Sequence, residues 1–544
     1  MKIAIAQLNY HIGHFESNES KIIDAINKAK NEHAELIIFA ELAIGGYPAK
    51  DLLRNDIFIQ QCEQSLQRIA SQCDTIDCII GCPTKNVDQE GKPLFNSAAV
   101  LSKGKIQEYR HKSLLPDYDV FDEYRYFEPN KATNCVQLNG KKIALTVCED
   151  LWDDDKDNSY VGDLMAELAA ENPDIIINIA ASPFSYIQHE ERIQVLKNNI
   201  KKANAPLIYV NQIGAHTDII FDGRSLVLNK NGDIVKELAK FAEDFQYVDF
   251  ENSDFAGKGS TTNDTEIALI HQALILGLRD YFSKSGFKKA VLGLSGGIDS
   301  AIVAALAIEA LGAKNVLAVL MPSIYSSDHS IKDALDLVTN TGCEHLILPI
   351  KDIASSFENT LSEAFAGLQA NLTEENIQAR TRGTLLMAIS NKFGHILLNT
   401  SNKSEAAVGY GTLYGDMAGS LSVIGDVYKT QAFELAKYIN RDREIIPINT
   451  IVKPPSAELR PDQKDSDSLP EYDVLDSILY LLIEKEKSGQ ELLSLGFDES
   501  LVLRIAKLLH NAEFKRFQAP PILRVSPKAF GTGRQMPLVS KFIF

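Results

Sequence analysis

The chain has 544 residues, 45% hydrophobic and 24% charged, which excludes wholesale disorder and predicts two to four domains at ~100–200 residues each. Seventy-three acidic against fifty-five basic residues give a net charge of −18, so a long nucleic acid or an anionic membrane is excluded as main partner. A local cationic pocket for a small anion is not.

The chain opens with MKIAIAQLNY, a strand pattern rather than a signal peptide. No apolar run approaches the ~20 residues of a membrane span, so a cytoplasmic protein is expected. Further β-branched runs fall at Leu36–Ala40, Ile79–Cys82, Ala98–Leu101, Ile143–Cys148, Ile175–Ile179, Leu207–Asn211 and Ser225–Leu228, with a helical period over Ser17–His33. Unbroken runs such as Ile175-Ile176-Ile177 suit strands covered on both faces. A layered α/β architecture with two sheets is expected for the first half. Its cysteines Cys62, Cys73, Cys78, Cys82, Cys135 and Cys148, with Cys343 later, are irregularly spaced and odd in number, which reads as reduced thiols. Cys73, Cys78 and Cys82 lack the second short-spaced pair of a zinc site and read as buried apolar thiols.

Glu251–Thr265 turns small and polar and reads as a linker, with Asn263 and Glu266 at capping-box spacing for the next helix. The expected domains are 1–255 and 256–544. From Lys289 the chain runs AVLGL, SGGIDS, AIVAALAIEALG and NVLAVLMP, the strand–loop–helix–strand order of an open parallel sheet. Residues 453–470 combine four prolines with dense charge and read as a mobile surface loop.

The loop Gly293-Leu294-Ser295-Gly296-Gly297-Ile298-Asp299-Ser300 leaves an apolar strand and opens a helix. Its glycines let the backbone approach a ligand, and helix N–H groups attract anions. It lacks the lysine of a GxxxxGK[ST] loop and the spacing of GxGxxG. An aspartate in an anion-binding turn implies a bridging Mg²⁺ at Asp299. A glycine turn merely capped by Ser and Asp is the alternative reading.

SGGIDS resembles the pyrophosphate loop of enzymes that split ATP between its α and β phosphates. The segments Asn376-Ile377-Gln378-Ala379-Arg380-Thr381-Arg382, Thr400-Ser401-Asn402-Lys403-Ser404-Glu405, Gly415-Asp416, Asp426–Lys429 and Glu513–Arg516 narrow that resemblance to the NAD synthetases. It implies ATP contacts from Gly293 to Ser300 and at Thr400, and deamido-NAD contacts at Asn376, Glu405 and Lys515. It further implies phosphate neutralisation by Arg380 and Lys429, and magnesium held by Asp299 with Glu405. Arg382 reads equally as solvated charge.

A second constellation lies in the first half: Glu41 after LIIFA, Lys112 in HKSLLP and Cys148 after ALTV. A cation beside a thiol favours the thiolate, and a carboxylate can move protons. Spacing alone does not bring the three together. FAEL, HKSLLPDYDVFDEYRYF and VCEDLW, however, resemble the three signature segments of the nitrilase superfamily. That resemblance implies an α-β-β-α sandwich, an amide-hydrolysing triad of Glu41, Lys112 and Cys148, and Glu123 as a second glutamate. It also implies glutamine contacts at Tyr118, Ser182 and the position of Gln188, which is commonly basic in relatives. Trp152 reads as packing.

The two halves in this order resemble the glutamine-dependent NAD synthetases. The resemblance implies a homo-oligomer acting on glutamine, ATP and deamido-NAD, with an ammonia passage between the sites. Two other readings stay open: a plain carbon–nitrogen hydrolase whose second half senses nucleotide, and a non-enzymatic nucleotide-binding scaffold.

Overall fold

The computed structural model describes every residue except 88–89, 153–159, 161, 260–263, 461–462, 464, 468 and 543–544. The chain divides into two units, Met1–Asn263 and Asp264–Phe544.

The first unit contains fifteen strands among its described residues: β1 (Lys2–Gln7), β2 (Leu36–Ile38), β3 (Asp77–Lys85), β4 (Leu94–Ser102), β5 (Lys105–His111), β6 (Val136–Leu138), β7 (Lys141–Val147), β8 (Ile175–Ala180), β9 (Leu207–Asn211), β10 (Ile213–His216), β11 (Ile219–Asp222), β12 (Leu226–Leu228), β13 (Ile234–Glu237), β14 (Asp244–Glu251) and β15 (Asp254–Phe255). They form a seven-stranded sheet ordered β15-β14-β1-β2-β3-β4-β5, a six-stranded sheet ordered β13-β12-β9-β8-β7-β6, and the β10-β11 hairpin. Each large sheet has a parallel centre, β1-β2-β3 in one and β7-β8-β9 in the other. Strand alternation sorts the first sheet's side chains into two layers. Ile3, Ile5, Leu36, Ile38 and Ile79 pack with Ile143, Leu145, Val147, Ile175 and Ile177 of the other sheet. Ala4, Ala6, Ile37 and Ile80 instead meet α1 (Phe15–Asn31) and α2 (Asp56–Ser71) through Ile22, Ile26, Ile59 and Leu66. On the second sheet, α3 (Leu164–Ala170) and α4 (Gln188–Ala203) contribute Met165, Leu168, Leu196 and Ile200. This is the expected α-β-β-α sandwich. All seven cysteines of the chain are free and buried.

The second unit is built on one parallel sheet ordered β18-β17-β16-β19-β20. Its strands are β16 (Ala290–Gly293), β17 (Val316–Leu320), β18 (Glu344–Ile347), β19 (Ile396–Asn399) and β20 (Leu421–Ser422). The helices are α5 (Glu266–Ser285), α6 (Ile298–Leu311), α7 (Asp328–Thr341), α8 (Lys351–Leu361), α9 (Leu372–Phe393), α10 (Lys403–Val408) and α11 (Lys429–Ile439), with further helices that include Tyr472–Ile483 and Glu499–Asn511. From β16 the chain moves to β17 and β18 on one side, then returns to β19 on the other. That reversal places a crevice at the carboxyl end of β16, where such sheets bind ligands.

Two local readings change. Thr265, not Asn263, caps α5, its side chain accepting from the Ala268 N–H; Asn263 lies outside the described residues. The polar stretch after residue 250 still contains β15, because Phe250 and Phe255 pair across it and bury. The 453–470 segment is anchored where it is described: Glu458 accepts from Ser327 Oγ (2.7 Å) and Ser330 Oγ (2.8 Å), and Asp465 is buried. Among its described residues Lys453 also pairs with Asp333 (2.9 Å), and Asp465 accepts from Tyr472 (2.9 Å). Its residues 461, 462, 464 and 468 lie outside the described set.

Candidate active sites

In the first unit the strand ends bring the expected trio together, buried and within electrostatic reach of one another. Strand β2 stops at Ile38, so Glu41 sits in the turn beyond it, its N–H reaching Ala180 O at the end of β8 (3.4 Å). Ala181 N–H returns a bond to Glu41 Oε2 at 2.9 Å. Strand β7 pairs with β8 through Val147 and Ile179, so Cys148 emerges beside the same strand end. Cys148 is not the last residue of β7, as the apolar run suggested. It opens a short 3-10 turn with φ +46°, a left-handed conformation that only a fixed surrounding holds for a non-glycine residue. Asp150 supplies that surrounding: it accepts from Val147 N, Ser113 N and Leu114 N at 2.8–2.9 Å, tying the turn to the segment after Lys112.

Lys112 has no exposed surface, and its Nζ lies 2.8 Å from both Glu41 Oε1 and Glu123 Oε1. Asn96 Nδ2 donates to Glu41 Oε1 (2.7 Å) and Glu123 Oε2 (3.2 Å), and Tyr47 donates to Glu123 (2.9 Å). Burial pushes the Lys112 ammonium toward the neutral form, but Glu123 and Glu41 outweigh it and hold the pKa well above the usual lysine range. Burial raises Glu123 to about 7, against the pull of Lys112. Burial and the Glu41 charge raise the Cys148 thiol, while Lys112 opposes them.

The expected glutamine contacts differ in their surroundings. Tyr118 donates to Glu149 at 2.8 Å. Ser182 is buried, two residues past β8, and accepts from Arg192 Nη2 at 3.4 Å. Gln188 begins α4, half-buried. Trp152 packs against the sandwich core. Asn96, Glu149 and Arg192 escaped the sequence reading. The available signal was a buried polar residue inside an apolar strand for Asn96, and a carboxylate directly after the thiol for Glu149.

In the second unit Ser295–Ser300 forms a tight cradle at the carboxyl end of β16. Gly296 has φ +83°, and a Cβ there would run into the Ser330 carbonyl oxygen, so only glycine fits. Ser300 Oγ ties the turn by meeting Ser295 N (3.2 Å), Ser295 Oγ (3.1 Å) and Gly297 O (3.0 Å). Helix α6 starts at Ile298 with no side chain capping it, which leaves its first N–H groups to an anion. Gly293 ends β16, and Leu294 N is tied to Val319 O (2.9 Å).

Asp299 meets the α10 and α11 N-termini. Its Oδ1 accepts from Asn402 Nδ2 (3.1 Å) and its Oδ2 from Lys429 Nζ (2.5 Å), while Lys429 also lies 3.3 Å from Glu405 Oε1. Asn402 caps α10 in a capping box with Glu405. Burial raises Glu405 to about 8, with Lys429 opposing. The expected metal pair is thus assembled around one cation, the lysine ammonium. Two hard carboxylates sharing a cation beside an anion cradle suit Mg²⁺, which takes one or two carboxylates together with phosphate oxygens. In this arrangement Lys429 neutralises carboxylates.

Of the remaining expected residues, Asn376, Lys515 and Arg380 gather near the loop that follows α10. Thr400 follows β19, and Asn376 on α9 accepts from Thr412 Oγ1 at 2.7 Å. Lys515 Nζ donates to Gly409 O (2.8 Å) and Gly411 O (2.7 Å). Arg380 is exposed, its Nε donating to Leu413 O (3.2 Å). Arg382 instead reaches Met321 O, just past β17 (3.1 Å), so of the two guanidiniums it stands at the strand ends.

Residues 2–256 match the carbon–nitrogen hydrolase family and residues 270–519 the NAD synthase family. A glutamine-dependent NAD(+) synthetase of Synechocystis sp. is 46% identical over 550 residues, covering 99% of each chain. One from Acinetobacter baylyi is 42% identical over 544 residues, covering 99% of this chain and 98% of its own. The solved structure of glutamine-dependent NAD+ synthetase from Acinetobacter baumannii in complex with adenosine diphosphate gives a TM-score of 0.78 at 39% identity, covering 99% of this chain and 98% of that one.

Proposed function

The chain belongs to the glutamine-dependent NAD(+) synthetases, and we propose that its two units divide that reaction between them. The enzyme is an ATP-dependent ligase that takes nitrogen from glutamine, converts deamido-NAD to NAD, and releases glutamate, AMP and pyrophosphate.

In the first unit Glu41 takes the Cys148 proton as sulfur attacks the carboxamide carbon. Lys112, kept cationic by Glu123 and Glu41, faces the negative charge that develops on the carbonyl oxygen. Glu41 returns the proton to the departing nitrogen and ammonia leaves. Water then attacks the thioester, its proton passing through Glu41 to sulfur, and glutamate is released.

In the second unit the nicotinate carboxylate attacks the α-phosphorus of ATP, and the Ser295–Ser300 cradle receives the departing pyrophosphate. Asp299 and Glu405 would hold magnesium, which when bound offsets the charge of the phosphate oxygens. Lys429 is placed to adjust its partners among Asp299, Glu405 and an incoming phosphate. Ammonia attacks the activated carbonyl and AMP departs. A free carboxylate is a poor electrophile, which is why adenylylation precedes amidation.

The observation that carries this reading is Lys112 Nζ held 2.8 Å from two buried glutamates at the strand end where Cys148 emerges. The test is release of AMP and NAD from ATP and deamido-NAD with glutamine as the nitrogen source. Glutamine hydrolysis with no AMP would leave only a hydrolase, and neither product would leave only a scaffold.

A further inference from the structure

Two helix N-termini meet at the cradle, and they are in opposite states. Helix α6 opens with no side-chain cap. Helix α7 is capped by Ser327, whose side chain accepts from the Ser330 N–H, and it also carries a carboxylate from far along the chain. Glu458 Oε1 accepts from Ser327 Oγ (2.7 Å) and Ser330 Oγ (2.8 Å), and its Oε2 from the Ser327 N–H (3.3 Å). Lys453 Nζ stands at the same place, 3.1 Å from Ser330 Oγ and 2.9 Å from Asp333. Arg382 lies within electrostatic reach of Glu458. Two hydroxyls, an N–H at a helix start and two cations make the donor set of a phosphate site. Here the chain fills it with its own anion.

The seat is enforced from several directions. Glu458 has φ +48°, a left-handed conformation that a non-glycine residue keeps only where its surroundings hold it. Its N–H donates to Ser456 Oγ (3.2 Å), and Gln378 on α9 donates to Leu459 O (3.1 Å), so the chain is tied on both sides of it. Helix α7 in turn touches the cradle, because the Ser330 carbonyl fills the space that a Cβ on Gly296 would need. Thr450, three residues before Lys453, donates to Gly296 O (3.4 Å). The α7 donors therefore adjoin the turn that opens α6, and Glu458 already occupies them.

We propose that Glu458 is a positioning residue for the leaving group: by filling the α7 N-terminus it confines the phosphate tail to α6 and lets pyrophosphate depart. It touches no reacting atom and acts through Ser327 and Ser330. With the seat vacated, α7 would offer a second set of donors and grip the released pyrophosphate as well. A product held at both helix starts leaves slowly, and turnover falls with its release. This assignment rests on the Ser295–Ser300 cradle receiving pyrophosphate.

The test measures how magnesium pyrophosphate inhibits ammonia-driven NAD formation by the full-length enzyme. Glu458→Gln keeps the shape and removes the charge. It should lower the inhibition constant by about 10-fold and reduce kcat without raising KM for ATP. Glu458→Asp, which keeps the charge, should restore most of the original constant. Adding Ser330→Ala to Glu458→Gln removes a donor and should weaken inhibition again. A merely structural role would instead raise KM and the inhibition constant together, and that result, or an unchanged constant, would overturn the proposal. Hydrogen exchange tests the unaltered enzyme without any substitution. Magnesium pyrophosphate should slow the amides of Ile298, Asp299 and Ser300 and leave those of Ser327 and Glu458 as they were. Faster exchange at Glu458 would mean that pyrophosphate displaces it, which also overturns the proposal. If the unaltered enzyme released no AMP from ATP and deamido-NAD, the reading of the cradle itself would fail instead.

Discussion

In the first unit Glu41 and Lys112 have no exposed surface and Glu123 has 4%, whereas Asp299 and Glu405 in the second keep 18% and 16% of their side-chain surface. The glutaminase charges are a permanent network: one ammonium serves two carboxylates, with Asn96, Tyr47 and the Ala181 N–H filling the remaining acceptor positions. The nucleotide site pairs an internal cation, Lys429, with carboxylates that stay partly open to a ligand. The difference follows from the chemistry. Covalent attack by a thiol calls for fixed proton and charge positions in a dry pocket, while a nucleotide that must enter and leave calls for backbone donors and partners that can be exchanged.

Substitutions should separate the two. Asp299→Ala should lower NAD synthesis by about 10³-fold with either glutamine or ammonia, measured as AMP release, because both nitrogen sources need the activated carboxylate. Synthesis retained with ammonia would break the assignment of the cradle. Lys112→Met should remove glutamine hydrolysis and destabilise the first unit by about 3–5 kcal/mol, read from denaturant unfolding, since two buried glutamates lose their shared cation. Ammonia-driven synthesis should survive wherever the second unit remains folded. Gly296→Ala should weaken ATP use by about 10–100-fold through the clash with Ser330 O and the strained φ, with glutamine hydrolysis spared.

The smallest effect concerns pH. Folded Glu123 retains its proton to about 7, whereas the unfolded chain releases it near 4.5, so this group's contribution to stability is full below about 4.5 and is lost as pH rises to about 7. Glu123→Gln should flatten the fall in Tm of the first unit across that window. An unchanged slope would show that the proton is held elsewhere.

The two covered sheets were legible because unbroken β-branched runs allow few arrangements other than covered strands, while the α-β-β-α order came from the resemblance; the cradle was legible because two glycines, two serines and an aspartate interrupt a strand–helix junction. What escaped were residues whose role exists only in three dimensions. Asn96 bridges two glutamates distant from it in the chain, and Arg192 acquires meaning only because α4 passes the end of β8. Cys148 was read as a strand residue because apolarity continues up to it, but a positive φ has no signature in a non-glycine residue. Lys429 was matched to phosphates by resemblance, and the α10 and α11 N-termini bring it to Asp299 and Glu405.

The most direct measurement is NAD formation by Cys148→Ala supplied first with glutamine and then with ammonium. With independent chemistry in each unit, the variant should make essentially no NAD from glutamine and retain near-normal formation from ammonium. Equal loss with both nitrogen sources in a folded variant, or undiminished use of glutamine, would contradict the division of labour.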